Sequence, residues 1–263
     1  MKHQKIFSLI ITIVFVIVIL ACAILTFSIK EINLNFSTTE KLNEDTLLAQ
    51  EEVDEYLNKN LLFFNTKKIE KTLEKYTYFD IISVRKSFPN KIEVEIKERQ
   101  EGYFVKYGEN CYVLDVEGFC LKQVDASYDT AELVEVLGVK FVDVQVGKKV
   151  CTENEEVFDT ALKMAKSVNV GNCIKQMTVY DKKDNEAVLF KVRTDVGVLI
   201  RKIKDDGVKK TQEAFSVYDY MTDYQKSYAW LDVYKLDATG EIAVYWTSQS
   251  ELASYIESLE GLA

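Results

Sequence analysis

The residues best equipped for chemistry in this chain are few, and their spacing does not assemble a site. The single histidine, His3, stands three residues from the start, which argues against a His-centred triad, a His general base in a folded cleft and a His-rich metal site. Of five cysteines, Cys22 lies in an apolar run, and Cys111, Cys120, Cys151 and Cys173 show no C-x-x-C spacing, which argues against zinc. Those four allow local disulfides, Cys111 with Cys120 across an expected hairpin and Cys151 with Cys173 across an expected helix. They equally suit four reduced thiols buried as small hydrophobes, and both readings stay open. The run Asp181-Lys182-Lys183-Asp184-Asn185 lacks the glycine and spacing of a calcium hand and reads as a solvated turn. Glu93, Glu95 and Lys97 alternate as the outward face of a strand rather than as an acid/base pair. Ten glycines include no G-x-G-x-x-G and no G-x-x-x-x-G-K-[ST], which removes the usual grounds for a nucleotide site. The expectation is a protein that is not an enzyme, with no catalytic residue, no metal ligand and no cofactor.

If side chains do not carry the activity, the elements that present surfaces must. The 263 residues are 48% hydrophobic and 29% charged, which is globular rather than disordered. Residues 6–27 form an uncharged run of 22 residues, and at about 1.5 Å per residue it reaches about 33 Å, enough for a bilayer core of about 30 Å. Lys2 and Lys5 precede it and the first 30 residues contain no Asp or Glu, so the positive-inside rule places the N-terminus in the cytoplasm and the bulk outside. A secretory signal or a lipoprotein box around Ala21-Cys22-Ala23 is the rival reading, but the run stays apolar through Ile24, Leu25 and Phe27, which favours an uncleaved single-pass anchor. Beyond it 31 basic residues face 42 acidic ones, a balance that argues against nucleic-acid binding.

After the anchor, Ile29, Ile32, Leu34 and Phe36 nearly alternate as in a half-buried strand. Two amphipathic helices are expected next, one from Asn43 or Asp45 to about Leu57, the other over about 66–75 with Ile69 and Leu73 inward. Strands at 79–86 and 91–97 follow, joined by Ser87-Phe88-Pro89-Asn90, where the chain's one proline fixes φ in a turn. Residues 60–99, with Val84, Arg85, Phe88, Pro89, Asn90, Ile92, Val94, Ile96, Glu98 and Arg99, closely resemble the POTRA module of the bacterial cell-division family FtsQ/DivIB. One departure is Gln100, where that family often has proline.

The resemblance continues in patches. Tyr112-Val113-Leu114-Asp115 with Glu117-Gly118 and Leu121 looks like the family's hairpin. Residues 151–167 read as a helix with a capping box from Thr152 to Glu155, strands return at 176–180, 187–193 and 196–201, and a helix is expected at about 207–221. The stretches 228–234 and 242–246 around Gly240 resemble the family's closing hairpin, and 250–261 is a short acidic tail of helical character. The expected fold is α+β: a stub (1–5), a membrane helix (6–28), a β-α-α-β-β POTRA domain (29–99), a β-rich domain (100–248) and a tail (249–263).

What the resemblance implies is a non-enzymatic divisome scaffold at the septum, anchored in the cell membrane and joined to FtsL-like and FtsB/DivIC-like coiled-coil membrane proteins. In that family the closing strand is the docking edge, which points to Gly240, Ile242, Val244, Tyr245 and Trp246, while Arg85, Phe88, Pro89 and Asn90 are structural turn residues. Strand alternation puts Ile242, Val244 and Trp246 on one face and Ala243 and Tyr245 on the other. Backbone pairing plus Tyr245 is therefore the favoured docking element, and Trp246 stands open between core and contact. A membrane-anchored exported enzyme or binding protein acting on the cell wall is the alternative, because distant carboxylate pairs are invisible in a sequence.

Overall fold

A computed structural model describes residues 2–37, 43–125, 127–168, 173–236 and 238–260, except the side chains of 2–9, 20, 23, 43 and 260. The chain divides into two compact units, Met1–Arg99 and Gln100–Ala263.

The first unit begins with helix α1 (Lys2–Thr26), whose described side chains from Ile10 to Ile19 are all exposed. The side chains of 6–9, 20 and 23 in the expected anchor lie outside the described residues, and among the described residues no helix is long and apolar enough to cross a membrane. Strand β1 (Glu31–Phe36), helices α2 (Asn43–Asp54) and α3 (Lys67–Leu73), and strands β2 (Phe79–Ser87) and β3 (Lys91–Glu98) follow. The three strands form one sheet with β3 in the centre, parallel to β1 and antiparallel to β2. The alternation in KIEVEIK explains the central place of β3: Ile92, Val94 and Ile96 are fully buried while the residues between them face solvent. Ala49 and Val53 of α2 and Ile69 and Leu73 of α3 complete that core.

The second unit is built on a nine-stranded sheet in the order β14-β13-β12-β11-β10-β7-β4-β5-β6 among the described residues. Its strands are β4 (Glu101–Tyr107), β5 (Asn110–Asp115), β6 (Cys120–Val124), β7 (Val134–Leu137), β10 (Ile174–Tyr180), β11 (Ala187–Val192), β12 (Gly197–Arg201), β13 (Trp230–Lys235) and β14 (Ile242–Thr247). A two-stranded ladder of β8 (Phe141–Asp143) and β9 (Cys151–Thr152) stands apart. The helices are α4 (Glu155–Lys166), α5 (Gly207–Tyr220), the single turn α6 (Asp223–Lys226) and α7 (Gln249–Glu260). Val157, Phe158, Ala161, Leu162 and Ala165 of α4, with Ala214 and Phe215 of α5, pack on one face of the sheet. On the other face Leu252 and Leu259 of α7 join Tyr180, Leu189, Leu199 and Trp230.

One local outcome differs from the sequence reading, and the tail and the cysteines take forms that it left open. Residues 151–152 pair as β9 with Phe141 and Asp143, so α4 starts later, and Asn154 rather than Thr152 caps it, its side chain accepting the Val157 N–H at 3.3 Å. The acidic tail is a helix docked on the sheet. All five cysteines are free; Cys111 and Cys120 sit opposite Val124 and Leu114, not each other.

Candidate docking edge

The closing hairpin is set by its turn. Gly240 has φ +71°, a left-handed conformation that glycine adopts without steric cost, and its N–H donates to the Leu236 carbonyl at 2.8 Å while Leu236 donates to Glu241 O at 2.8 Å. From there β13 and β14 run antiparallel in register from Lys235 opposite Ile242 to Trp230 opposite Thr247. Ile242 and Val244 lean on the main core, across from Lys235 and Val233. Trp246 shares their side of the strand but lies past the core, with 49% of its surface exposed.

The opposite face carries an aromatic and ionic ladder. Tyr245, 45% exposed, stacks on Tyr234 with centroids 5.1 Å apart and planes 9° from parallel. The Arg201 guanidinium lies 5.6 Å from the Tyr234 ring centre and 3.7 Å from that of Tyr255 in α7. Arg201 also forks onto Asp232, Nε donating to Oδ1 at 2.7 Å and Nη2 to Oδ2. Asp232 lies directly across from Tyr245, so buried charge, arginine and three tyrosines hold one another in place beneath the edge.

Both ends of β14 are pinned. Lys235 bridges Asp205 and Asp206 at 3.2 and 3.1 Å, and these bonds, Asp206 first, raise its pKa above the ordinary lysine value. After the strand, Ser248 and Glu251 form a capping box for α7: the Ser248 hydroxyl accepts the Glu251 N–H at 3.3 Å and the Glu251 carboxylate accepts the Ser248 N–H at 2.9 Å. The Thr247 hydroxyl donates to the same carboxylate at 2.6 Å, and this bond above all, then those to Ser248, lowers the Glu251 pKa.

The sheet has two edges, and they differ. At β6 the neighbouring loop already occupies backbone groups: Gly147 donates to Cys120 O and Cys120 to Lys148 O, both at 2.8 Å. β14 pairs with β13 on its inner side and meets no further strand among the described residues. Ile242, Val244, Tyr245 and Trp246 thus come together on an open edge, with Gly240 in the turn that begins it. Arg201 and Tyr255 do not stand out in the sequence, because no spacing links elements that meet only in the fold. The Ser248-x-x-Glu251 capping signature was readable in the sequence.

The turn residues lie elsewhere, in the first unit. Arg85 is exposed, its guanidinium 3.8 Å from Glu95, Phe88 is exposed and joined to Pro89 by a cis peptide, and Asn90 O accepts the Lys30 N–H at 2.8 Å. Asp181 and Asn185 bind the side chains of Asn154 and Tyr255, and no metal-ligating cluster occurs among the described residues.

Residues 27–99 match the family described as POTRA domain, FtsQ-type. A cell division protein DivIB of Clostridium acetobutylicum is 24% identical over 124 residues, 47% of this chain and 48% of that protein. One of Clostridium tetani is 28% identical over 91 residues, 35% of this chain and 34% of that protein. A third, of Clostridium botulinum, is 21% identical over 156 residues, 59% of this chain and 58% of that protein. The matches therefore span about a third to just under three fifths of each relative.

Proposed function

We propose that this chain, whose FtsQ-type POTRA domain and DivIB relatives support its place in the FtsQ/DivIB cell-division family, is a non-enzymatic scaffold of septation. It is held in the membrane by residues 6–27, its bulk lies outside, and it gathers FtsL-like and FtsB/DivIC-like coiled-coil membrane proteins at the septum. The observation that carries this reading is the open edge at β14, whose outward N–H and C=O groups have no strand to pair with and are ready for strand addition. Trp246 and Tyr245 project from opposite faces of that edge and supply the large aromatic contacts on which interface energy concentrates.

Proline substitution tests it. Successive N–H groups along a strand point to opposite sides, so of Val244→Pro and Tyr245→Pro one removes an N–H facing outward and the other an N–H facing β13. The outward variant keeps its fold, checked by near-ultraviolet circular dichroism, and captures the two coiled-coil partners about tenfold less well, the worth of a hydrogen bond or two. Undiminished capture by both folded variants rejects β14 as the docking edge. Turnover of peptidoglycan by the purified chain rejects a scaffold without catalysis.

A further inference from the structure

Three segments of the first unit meet where α1 ends. Leu61 donates its backbone N–H to the Phe27 carbonyl at 2.7 Å, Ser28 bridges to Asn60, and Lys30 donates to Asn90 O at 2.8 Å. That stitching gathers apolar side chains that the unit does not cover: Phe63 is 87% exposed, Phe88 60% and Leu62 44%. The Phe88 ring stands edge-on to Phe27 with centroids 6.1 Å apart. Elsewhere in the unit aromatic rings pack on one another, Phe36 and Tyr76 against Phe79 and Tyr56 against Phe64. Isolated exposed hydrophobics are ordinary, but two phenylalanines and a leucine gathered at one helix exit form a patch, and patches mark contacts.

The charge around the patch differs from that of the chain as a whole, in which 42 acidic residues outnumber 33 basic ones. Lys86 reaches across to the Leu62 carbonyl at 3.1 Å, the Lys59 ammonium lies 4.4 Å from the Tyr56 ring centre, and Lys30 is the exposed residue that bonds the Pro89 turn. The nearby acid Glu31 is matched by Lys91. Exposed apolar side chains with lysines close by in the fold are the composition of a surface that lies in a membrane interface.

We infer that this rim seats in the outer-leaflet surface of the membrane that residues 6–27 enter, Phe63, Phe88 and Leu62 dipping to the acyl-chain boundary and Lys30, Lys59 and Lys86 meeting anionic phospholipid headgroups. The inference rests on the anchor proposed above. Residues 6–26 of α1, 21 helical residues, rise about 32 Å against a hydrocarbon core of about 30 Å, so Phe27 emerges at the boundary of chains and headgroups. A ring 6.1 Å from Phe27 then falls within the depth of about 5–10 Å that interfacial apolar side chains occupy. Seated this way, the first unit meets the bilayer with its own surface as well as through the helix.

The test uses the full chain reconstituted in vesicles of phosphatidylcholine and phosphatidylglycerol with brominated acyl chains. Tryptophan is placed by Phe63→Trp, Phe88→Trp and, as a control, Ile82→Trp, an exposed strand position six residues and therefore about 20 Å of strand from Phe88. The parent chain with Trp230 and Trp246 gives the background. The expected result is bromine quenching at positions 63 and 88 at least about twofold above the control, falling when phosphatidylglycerol is left out. Quenching equal to the control in a chain that resists alkaline carbonate extraction overturns the surface contact and leaves the anchor standing. Release of the chain by carbonate overturns the anchor and the contact with it. Quenching unchanged without phosphatidylglycerol overturns the headgroup contact.

Discussion

Arg201 ties three elements of the second unit together: it forks onto Asp232 and lies close to the rings of Tyr234 and Tyr255. Removing it strands a carboxylate that is only 7% exposed. Arg201→Ala should cost about 2–3 kcal/mol in chemical denaturation, below the loss for a fully buried pair because Arg201 keeps a quarter of its side chain in solvent. Arg201→Lys should recover only part of this, since an ammonium cannot reproduce both the fork and the stack. Glu251 gives the pH dependence. Its carboxyl is held below the ordinary value by the Thr247 and Ser248 hydrogen bonds, so its contribution to α7 is complete above pH 4.5 and drains as the pH falls below that. A titration of the near-ultraviolet signal around Trp230 from about pH 6 to 3 should show the loss, and Glu251→Gln should flatten it. Thiol chemistry separates the cysteines: burial pushes Cys120 up to about 11, while Cys151 is exposed. Alkylation at pH 8 should therefore modify Cys151 quickly and Cys120 only on unfolding, read by mass spectrometry of peptides.

At the scale of elements, most strands and helices were legible because burial leaves a period in the sequence. KIEVEIK alternates as a one-sided strand must, and Val157, Phe158, Ala161, Leu162 and Ala165 recur as a helix packed on a sheet must. The boundary of α4 was misplaced because Thr152 and Asn154 are both good caps, and the choice fell to the pairing of β9 with Phe141, a long-range contact. The docking of α7 was hidden for a related reason: its apolar face meets Tyr180, Leu189, Leu199 and Trp230, and its Tyr255 meets Arg201, all distant in sequence. The open edge of β14 depends on the strand order, which no local pattern encodes. Gly197 marks where elements crowd. A Cβ there would lie 2.3 Å from Cε3 of Trp230, so Gly197→Ala should cost about 1–3 kcal/mol and loosen α7 together with the indole, detectable as faster proteolysis of the C-terminal helix.

For the molecule as a whole, two units with separate cores imply two separate stabilities. Calorimetry should resolve two transitions, and Gly197→Ala should lower only that of the second unit; a single transition shifted as one would contradict this. The pinned ends of β14 also set a length. Between the Gly240 turn and the Ser248 cap only Ile242–Thr247 is extended, six residues or about 20 Å of edge. If a partner adds to this edge as proposed, the strand is a ruler as well: a guest segment would find room for about six paired residues, and a slip of one would exchange the side chains it presents to Trp246 for those it presents to Tyr245.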